Sequence, residues 1–258
     1  MIRGDYVKAL ITGASSGIGA DMARILDNKG YDLILVARRK EKLEALKKEL
    51  KNNVEIIVMD ISSTFNCTKL YNKVKKDSID ILVNNAGFGL FGSFYETSLD
   101  RELDMIDLNI KSLHTLTKLF LQDFKERNSG YILNVASLAA FSPGPFMATY
   151  YATKAYVYNL TRAINYELKK ENSKVYVGAL CPGPVNTEFS HVANVQFSSK
   201  PMESYDVANY AIKAILKKKA TIIPGYKMKI AALLSKITPT KLKLSASYHI
   251  QKIRKKPC

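Results

Sequence analysis

Seven short apolar runs divide the chain, and longer segments with helical spacing lie between them. The runs are KALIT (8–12), DLILV (32–36), VEIIVM (54–59), IDILV (79–83), YILNVA (131–136), KVYVGAL (174–180) and ATII (220–223). Strands covered by helices on both faces have such near-continuous apolar sequences. Between two of them, in segment 39–51, Leu43, Leu46 and Leu50 have helical spacing. The alternation predicts an α/β fold with a parallel, doubly wound sheet and right-handed crossovers.

The length of the chain and the absence of a linker or repeat in its sequence favour one domain. The 258 residues suit one large α/β domain, and a hydrophobic content of 47% argues against disorder. We find no internal repeat and no linker rich in Gly, Pro or Ser. We therefore expect a single domain over residues 1–258, with a core at about 6–225 and a basic, apolar tail at 226–258.

The formal charge of +16 is concentrated at the carboxyl end. Thirteen Lys or Arg and no Asp or Glu occur from Val207 to Cys258, whereas the preceding 206 residues are close to balanced. A basic tail can bind an anionic partner such as membrane lipid, or it can be a solvated surface. We favour the solvated surface. We expect no nucleic-acid partner, because no recognised nucleic-acid motif accompanies the charge.

Three features predict a cytoplasmic protein. No apolar run reaches the roughly 18 residues that span a bilayer. The amino end is short and polar before the first strand-like run, unlike a signal peptide. The cysteines, Cys67, Cys181 and Cys258, are odd in number and form no CxxC pair. This predicts neither a disulfide framework nor a metal site and is typical of a reducing compartment.

A glycine-rich loop follows the first predicted strand directly. Glycines let the backbone approach a pyrophosphate, and the amino end of the next helix offers free N–H groups and a positive dipole end. Glycines are also common in tight turns, but this position favours a nucleotide site. The predicted cofactor-binding residues in the loop are Gly13, Ser15, Ser16, Gly17, Ile18 and Gly19.

The end of the second predicted strand indicates which cofactor is preferred. An enzyme that uses NAD usually has Asp or Glu there, to bind the ribose 2′-hydroxyl. This chain has Arg38 and Arg39 instead. Guanidinium groups bind a phosphate in bidentate fashion, so the pair predicts NADP(H), although both residues could merely begin a solvated helix.

At this point the chain resembles the short-chain dehydrogenase/reductase family over roughly residues 6–225. The resemblance rests on TGASSGIG (12–19), Asp60 after the third strand, NNAG (84–87), Asn109, Ser137, Tyr150-x-x-x-Lys154 and PGPVNT (182–187). Their order and spacing together are highly specific. The family implies a Rossmann fold with a seven-stranded sheet and reversible carbonyl–alcohol chemistry.

The residue types of the catalytic set fit that chemistry. Tyr150 and Lys154 are four residues apart on a predicted helix and share a face. We expect the ammonium to lower the pKa of the phenol, so that Tyr150 protonates the carbonyl oxygen while a hydride reaches the carbon. Ser137 would hydrogen-bond the same oxygen. The family resemblance implies that Asn109 kinks its helix and holds a proton-relaying water, and that Lys154 grips the nicotinamide ribose. Tyr151, also near Lys154, matches the motif less well.

The resemblance also assigns the rest of the cofactor site. Asp60 would contact the adenine amino group, with Ile61 beside the ring. Residues after the fourth strand would line the cofactor, and a loop after the sixth would cover the nicotinamide. These residues are Asn85, Ala86 and Gly87, followed by Pro182, Gly183, Val185 and Thr187.

The predicted substrate pocket is apolar, which favours a lipophilic ketone or aldehyde. Its expected lining is Phe88, Leu90, Phe91, Leu138, Ala139, Ala140, Phe146, Pro184 and Phe189. The segment 191–204 is expected to form a lid. A catalytically silent NADP-binding sensor or scaffold remains the alternative, since one fold serves many functions. The intact catalytic set favours the enzyme.

The tail contains a second amphipathic pattern. Ile230, Leu233, Leu234 and Ile237 are spaced for one helical face, with lysines between them. We expect this face to dock on the domain or on a second subunit of a homo-oligomer, because an exposed apolar face promotes association. A peripheral membrane contact by the tail is the less favoured alternative.

Overall fold

A computed structural model describes residues 7–193 and 200–254. Its main sheet has seven parallel strands in the order β3-β2-β1-β4-β5-β6-β9. These are β1 (Lys8–Thr12), β2 (Asp32–Ala37), β3 (Val54–Val58), β4 (Ile79–Asn84), β5 (Tyr131–Val135), β6 (Tyr176–Leu180) and β9 (Thr221–Ile222). All seven runs found in the sequence form strands of this sheet, and the prediction of a doubly wound α/β fold is confirmed.

Helices connect the strands and cover both faces of the sheet. They are α1 (Gly17–Asp27), α2 (Lys40–Glu49), α3 (Thr64–Val74), α4 (Leu99–Ile106), α5 (Leu113–Glu126), α6 (Ala148–Lys170), α7 (Phe189–Val192), α8 (Ser204–Leu216), α9 (Tyr226–Ile237) and α10 (Thr240–Arg254). A π-helical turn (Asp107–Ser112) joins α4 to α5, and a 3-10 turn (Leu138–Phe141) follows β5. The short strands β7 (Val185–Asn186) and β8 (Met202–Glu203) form a second small sheet.

The pleat of the sheet explains the continuous apolar runs. In β1, Ile11 lies in the buried cluster that includes residues of α1 and α8. Its neighbour Leu10 points to the opposite face, into a cluster with residues of α3 and α5. Successive strand residues alternate between faces, so a strand covered on both sides needs an apolar residue at every position.

Tail residues 226–254 form two helices. The apolar face of α9 does not dock on the domain, so that half of the expectation is wrong, while docking on a second subunit stays a prediction. Ile230, Leu233, Leu234 and Ile237 are 51%, 63%, 51% and 75% exposed. The opposite face, which carries the buried Ala232, packs against the 3-10 turn instead. Ala232 allows a close approach there, whereas these four larger apolar residues are left outside. Within residues 7–193 and 200–254, no helix has the length and apolarity to cross a membrane.

A buried polar chain ties together the strands and helices that carry the cleft. Asn134 on β5 accepts from the Asn84 amide at 2.9 Å and donates to the Thr161 hydroxyl at 3.0 Å. Thr117 on α5 also donates to the Asn134 amide oxygen, at 3.2 Å. All four residues are buried, so the bonded groups depend on one another in place of water, and the Asn84 amide oxygen is left without a partner among the described residues.

Replacing Asn134 with Ala therefore removes the acceptor of two buried donors, the Asn84 amide and the Thr117 hydroxyl. We expect Asn134→Ala to lower the free energy of unfolding by roughly 2–4 kcal/mol, since each unpaired buried group costs on the order of 1–3 kcal/mol. Thr117→Val removes one donor to Asn134 and one acceptor of the Asn84 amide but keeps the Asn84–Asn134 bond, so it should cost only about 1 kcal/mol. Urea unfolding curves measure both. If both variants lowered the free energy of unfolding equally, Asn134 would not be the residue on which the hydrogen-bonded cluster depends.

Candidate functional site

The loop after β1 packs closely against the loop after β4. Gly13 has a φ of +64°, and a Cβ there would lie 2.8 Å from the Cα of Ala86. The Asn85 amide donates to the carbonyl oxygens of Thr12 and Gly13, at 3.1 Å each. A side chain at Gly13 would therefore separate two loops whose close contact shapes the floor of the cleft.

The amino end of α1 faces the same cleft. Ser16 precedes the helix, and its side chain makes no capping hydrogen bond, so the first-turn N–H groups and the helix dipole remain available to an anion. Gly19, in the first turn of α1, does not line the cleft. A Cβ at Gly19 would lie 2.5 Å from the Asn85 side-chain nitrogen. Gly19 thus serves packing against the neighbouring loop.

A single cleft of about 470 Å³ brings together nearly all the site residues predicted from the sequence. Of those residues, Gly19 and Asn109 alone are not part of its lining. The predicted residues that line it are Gly13, Ser15, Ser16, Gly17, Ile18, Arg38, Arg39, Asp60, Ile61, Asn85, Ala86, Gly87, Ser137, Tyr150, Lys154, Pro182, Gly183, Val185 and Thr187. Apart from Tyr150 and Lys154, which lie on α6, they come from the carboxyl ends of six parallel strands and the segments that follow them.

One end of the cleft is rich in cationic side chains. The Arg39 guanidinium donates to the hydroxyls of Ser15 and Ser16, at 3.0 Å each. Arg38 is 72% exposed, and its guanidinium lies 3.7 Å from the Asp60 carboxylate. Two guanidinium groups beside two hydroxyls and a helix amino end form a surface that can bind a phosphate.

Glu188 is a charged lining residue that the sequence reasoning missed. Its carboxylate lies 2.8 Å from the Arg39 guanidinium and also contacts the Lys42 ammonium. Hydrogen bonds from Lys42 and Arg39 lower the pKa of Glu188 to about 2. The carboxylate therefore stays charged and occupies part of the cationic end. An acid directly after the PGPVNT motif was the available sequence signal.

The other end of the cleft holds Tyr150, Ser137 and Lys154. Tyr150 and Lys154, both on α6, are 9% and 6% exposed. The Ser137 hydroxyl lies within hydrogen-bonding reach of the Tyr150 phenol. The Lys154 ammonium lies 5.8 Å from the centre of the Tyr150 ring and donates to the Val135 carbonyl oxygen at 2.9 Å. A phenol, a hydroxyl and an ammonium group therefore lie close together at this end of the cleft.

Burial decides the proton affinities at this point. Burial raises the pKa of Tyr150 to about 12, which the hydrogen bond with Ser137 only partly offsets. It lowers the pKa of Lys154 to about 8. The expected lowering of the tyrosine pKa is therefore not found. Desolvation of the phenolate is the largest cause of the shift, and the Lys154 ammonium is directed at a backbone carbonyl instead of at the phenol.

Asn109 lies behind the cleft, in the π-helical turn, and is 1% exposed. Its amide pairs with both backbone groups of Phe88: it accepts from the N–H at 3.1 Å and donates to the carbonyl at 2.9 Å. It also donates to the Thr153 hydroxyl at 3.1 Å. Asn109 therefore joins the loop after β4 to α6, next to Lys154.

Tyr151 occupies a different position from Tyr150. Its hydroxyl accepts a hydrogen bond from the buried Gln251 amide of α10, at 3.0 Å. Tyr248, one turn earlier on α10, packs on Phe146, with ring centroids 5.1 Å apart. The tail helix therefore packs against the substrate end of the cleft, a role the sequence did not reveal.

The substrate end is lined by apolar residues, in part those expected. Phe88, Leu138, Ala139, Pro184 and Phe189 line the cleft, together with Met147, Tyr151 and Val192, which were not predicted. Leu90 and Phe91 pack in the adjoining apolar cluster, while Ala140 and Phe146 do not line the cleft. Part of the expected lid, residues 194–199, lies outside the described residues.

The thiol of Cys181 lies next to the loop after β6, but its surroundings do not favour nucleophilic chemistry. Cys181 is fully buried, and burial raises the pKa of its thiol to about 12, so it is protonated and unsuited to nucleophilic attack. Among the described residues, no three His, Cys, Asp or Glu side chains cluster as metal ligands do.

Comparison with known proteins places this geometry in a family. The short chain dehydrogenase family model matches residues 7–196. The chain belongs to that family. An uncharacterized oxidoreductase of Staphylococcus saprophyticus is 35% identical over 214 residues, which is 80% of this chain and 90% of the relative.

Two solved structures share the fold. A short-chain dehydrogenase from Sphingobium yanoikuyae in complex with NADPH is 31% identical, with a TM-score of 0.80 over 88% of this chain and 92% of the other. A bulky-bulky ketone specific alcohol dehydrogenase from Comamonas testosteroni is 29% identical, with a TM-score of 0.75 over 84% and 86%. Family membership and these neighbours support oxidoreduction with a nicotinamide cofactor.

The buried Lys154 ammonium should destabilise the cofactor-free protein. No salt bridge among the described residues includes Lys154, and its pKa of about 8 lies below the ordinary 10.5. The unfolded chain therefore holds this proton more tightly than the folded one. Burial of the charged ammonium therefore lowers the free energy of unfolding below pH 8. This destabilisation disappears as the pH rises from about 8 to 10.5.

We predict that Lys154→Met raises the free energy of unfolding at pH 7 by roughly 1–3 kcal/mol, because methionine fills a similar volume without charge. The gain should shrink as the pH approaches 10. Urea unfolding without cofactor at both pH values measures the difference between variant and wild type. A gain that is absent at pH 7, or that does not change with pH, would contradict the predicted cost of burial.

Proposed function

We propose that this protein is an NADP(H)-dependent reductase that interconverts a carbonyl compound and its alcohol. The observation that carries the proposal is the position of the Tyr150 phenol, next to the Ser137 hydroxyl. Both lie in the same cleft as the glycine loop and the arginine pair. A dinucleotide held along that cleft would present its reactive ring to a carbonyl group beside the phenol.

The cofactor, when bound, supplies a hydride to the carbonyl carbon. Tyr150 supplies the proton to the carbonyl oxygen and becomes a phenolate. Ser137 donates a hydrogen bond to the same oxygen and fixes its position as negative charge develops there. A pKa of about 12 keeps the phenol protonated at neutral pH, which is the state that carbonyl reduction requires.

Lys154 and Asn109 would support the proton donor. The Lys154 ammonium, buried beside the Tyr150 ring, would stabilise the phenolate that forms and would hold the ribose hydroxyls of the cofactor. Asn109 acts from behind the cleft: its bonds to the Phe88 backbone and to Thr153 hold the wall of the cleft against α6. The widened helical turn at Asn109 would expose a backbone carbonyl for the proton-relaying water.

The preference for NADP(H) follows from the cationic end. Arg39, with Ser15 and Ser16, would bind the 2′-phosphate, and Arg38 would add a second guanidinium. The similarity to a short-chain dehydrogenase in complex with NADPH supports this assignment. Glu188 opposes it, because its carboxylate already pairs with Arg39 and would repel a phosphate.

The remaining cofactor residues are assigned by their places along the cleft. Asp60 and Ile61, beyond β3, would hold the adenine. Residues after β4 and β6 would hold the ribose and the nicotinamide. These are Asn85, Ala86 and Gly87, and then Pro182, Gly183, Val185 and Thr187.

The substrate that fits best is a lipophilic ketone or aldehyde. Apolar and aromatic side chains, among them Phe88, Leu138 and Phe189, surround the position next to Tyr150. The similarity to a bulky-bulky ketone specific alcohol dehydrogenase supports a bulky carbonyl compound. A homo-oligomeric state and a cytoplasmic location stay predictions from the sequence.

The proton donor provides the decisive test. We expect Tyr150→Phe to reduce turnover of an apolar ketone with NADPH by on the order of 10²-fold or more, while NADPH still binds. Tyr151→Phe is the matched control, because it removes the neighbouring hydroxyl, which pairs with Gln251 instead. Turnover of a carbonyl panel, followed by NADPH absorbance, measures both.

Near-normal activity of Tyr150→Phe together with loss in Tyr151→Phe would overturn the assignment. A wild-type protein that binds NADPH but turns over no carbonyl compound in the panel would favour the silent NADP-binding sensor or scaffold instead.

Cofactor preference is tested by changing charges on both sides of the ion pair. We expect the double variant Arg38→Ala and Arg39→Ala to weaken NADPH binding by roughly 30-fold or more and NADH binding by less than about threefold. Glu188→Gln should tighten NADPH binding severalfold and leave NADH nearly unchanged, because the repulsion acts on the 2′-phosphate alone. Fluorescence titration gives each dissociation constant. Equal effects on both cofactors would show that these residues do not select the phosphate.

A further inference from the structure

The outer surface of α9 is a continuous apolar face. Tyr226, Ile230, Leu233, Leu234 and Ile237 recur every three or four residues and are each at least 51% exposed. This spacing places all five side chains on one side of the helix. We call them the outer face of α9. A contiguous exposed apolar face on a short helix marks an interaction surface.

The inner side of α9 is fixed to the cleft, so the outer face cannot turn inward. Ala232 is 5% exposed, and the Ser235 hydroxyl donates to the Phe141 carbonyl at 3.4 Å. Met228 packs so closely on Gly183 that a Cβ there would lie 2.6 Å from the methionine sulfur. Gly183 lines the cleft, and Phe141 ends the 3-10 turn that contributes Leu138 to its wall. The orientation of the outer face is therefore set by contacts near the active site.

The charged side chains of α9 and α10 are all basic. Lys227 and Lys236 are exposed on α9, on opposite borders of the apolar face. Lys241 is exposed at the start of α10, next to the exposed Leu242. No carboxylate side chain exists between Val207 and Cys258 to neutralise them. An apolar helical face bordered by lysines fits a surface that is anionic outside and apolar beneath.

A second copy of the chain fits this face less well. In a two-fold symmetric contact each residue of the patch meets the same patch on the other subunit. The lysine-bearing borders of the two copies would then lie beside each other, without any acid on α9 or α10 to pair with. Like charges brought together at the edge of an apolar contact oppose association.

We propose that the outer face of α9 binds the surface of a bilayer that contains anionic phospholipid. The apolar side chains enter the boundary between headgroups and acyl chains, and Tyr226 lies at that boundary, where tyrosine is favoured. Lys227, Lys236 and Lys241 extend to the lipid phosphates. One short helix with few lysines makes this contact reversible and sensitive to salt.

The test is vesicle binding by the full chain without cofactor. Sedimentation is measured with vesicles of phosphatidylcholine alone and of phosphatidylcholine with about one third phosphatidylglycerol. Two to three lysines near the surface should tighten binding to the anionic vesicles by about tenfold or more. Raising the ionic strength from about 0.05 M to about 0.5 M should remove most of that gain.

Two variants test the two parts of the contact. Leu233→Gln with Ile237→Gln should weaken binding to anionic vesicles by about tenfold or more, because it removes exposed apolar groups from the face. Leu99→Gln, which changes a 70% exposed leucine on α4, is the control and should bind as the wild type does.

Lys227→Gln with Lys236→Gln should weaken binding to anionic vesicles by several fold and leave the weak binding to phosphatidylcholine unchanged. Lys47→Gln with Lys48→Gln removes the same charge from the exposed side of α2 and should have little effect.

Some outcomes would overturn the proposal. Absence of wild-type binding to anionic vesicles is one. Equal losses in the α9 and α2 lysine variants would indicate attraction by net charge alone. A wild-type dimer in light scattering that Leu233→Gln with Ile237→Gln converts to a monomer would assign the face to another subunit.

Discussion

The cleft depends on the way β1 and β4 lie side by side while the chain leaves them in different directions. From β1 the chain continues through α1 on one face of the sheet, and beyond β4 it reaches α5 on the other. At such a switch point the loops diverge and leave a crevice at the carboxyl ends of the strands. The Asn85 amide bridges the two loops by bonding to the backbone of Thr12 and Gly13, so this crevice keeps a defined shape.

Burial at the deep end of the cleft acts on both titratable groups in the same sense. It raises the pKa of Tyr150 to about 12 and lowers that of Lys154 to about 8, so both neutral forms are favoured. A proton donor in a water-poor pocket interacts strongly with any negative charge that develops near it. The same desolvation weakens the folded state, which is a common conflict between stability and activity. The stability is therefore lost at the same residues that carry out the proposed proton transfer.

The last two helices connect the cleft to the outer surface of the protein. The inner sides of α9 and α10 make these contacts: Ala232 and Ser235 pack at the 3-10 turn, Met228 packs on Gly183, and Gln251 bonds to Tyr151. The outer side of α9 carries larger apolar residues bordered by lysines. The two tail helices therefore pack against the walls of the cleft, and α9 also presents the proposed lipid-binding face.

The strands, the glycine loop and the relation of Tyr150 to Lys154 could be predicted because each depends on residues close in sequence. Apolar runs, glycine spacing and a four-residue helical interval are local patterns with local consequences. The ion pair of Glu188 with Arg39 could not be predicted in the same way, since it joins the loop after β7 to the end of β2. The direction of the Tyr150 pKa shift depends on everything packed around the phenol. In α9, helical periodicity showed that Leu233 and Ile237 share a face, but packing of the opposite side decided that this face points outward. A sequence period defines the faces of a helix, and only the tertiary contacts determine which face is buried.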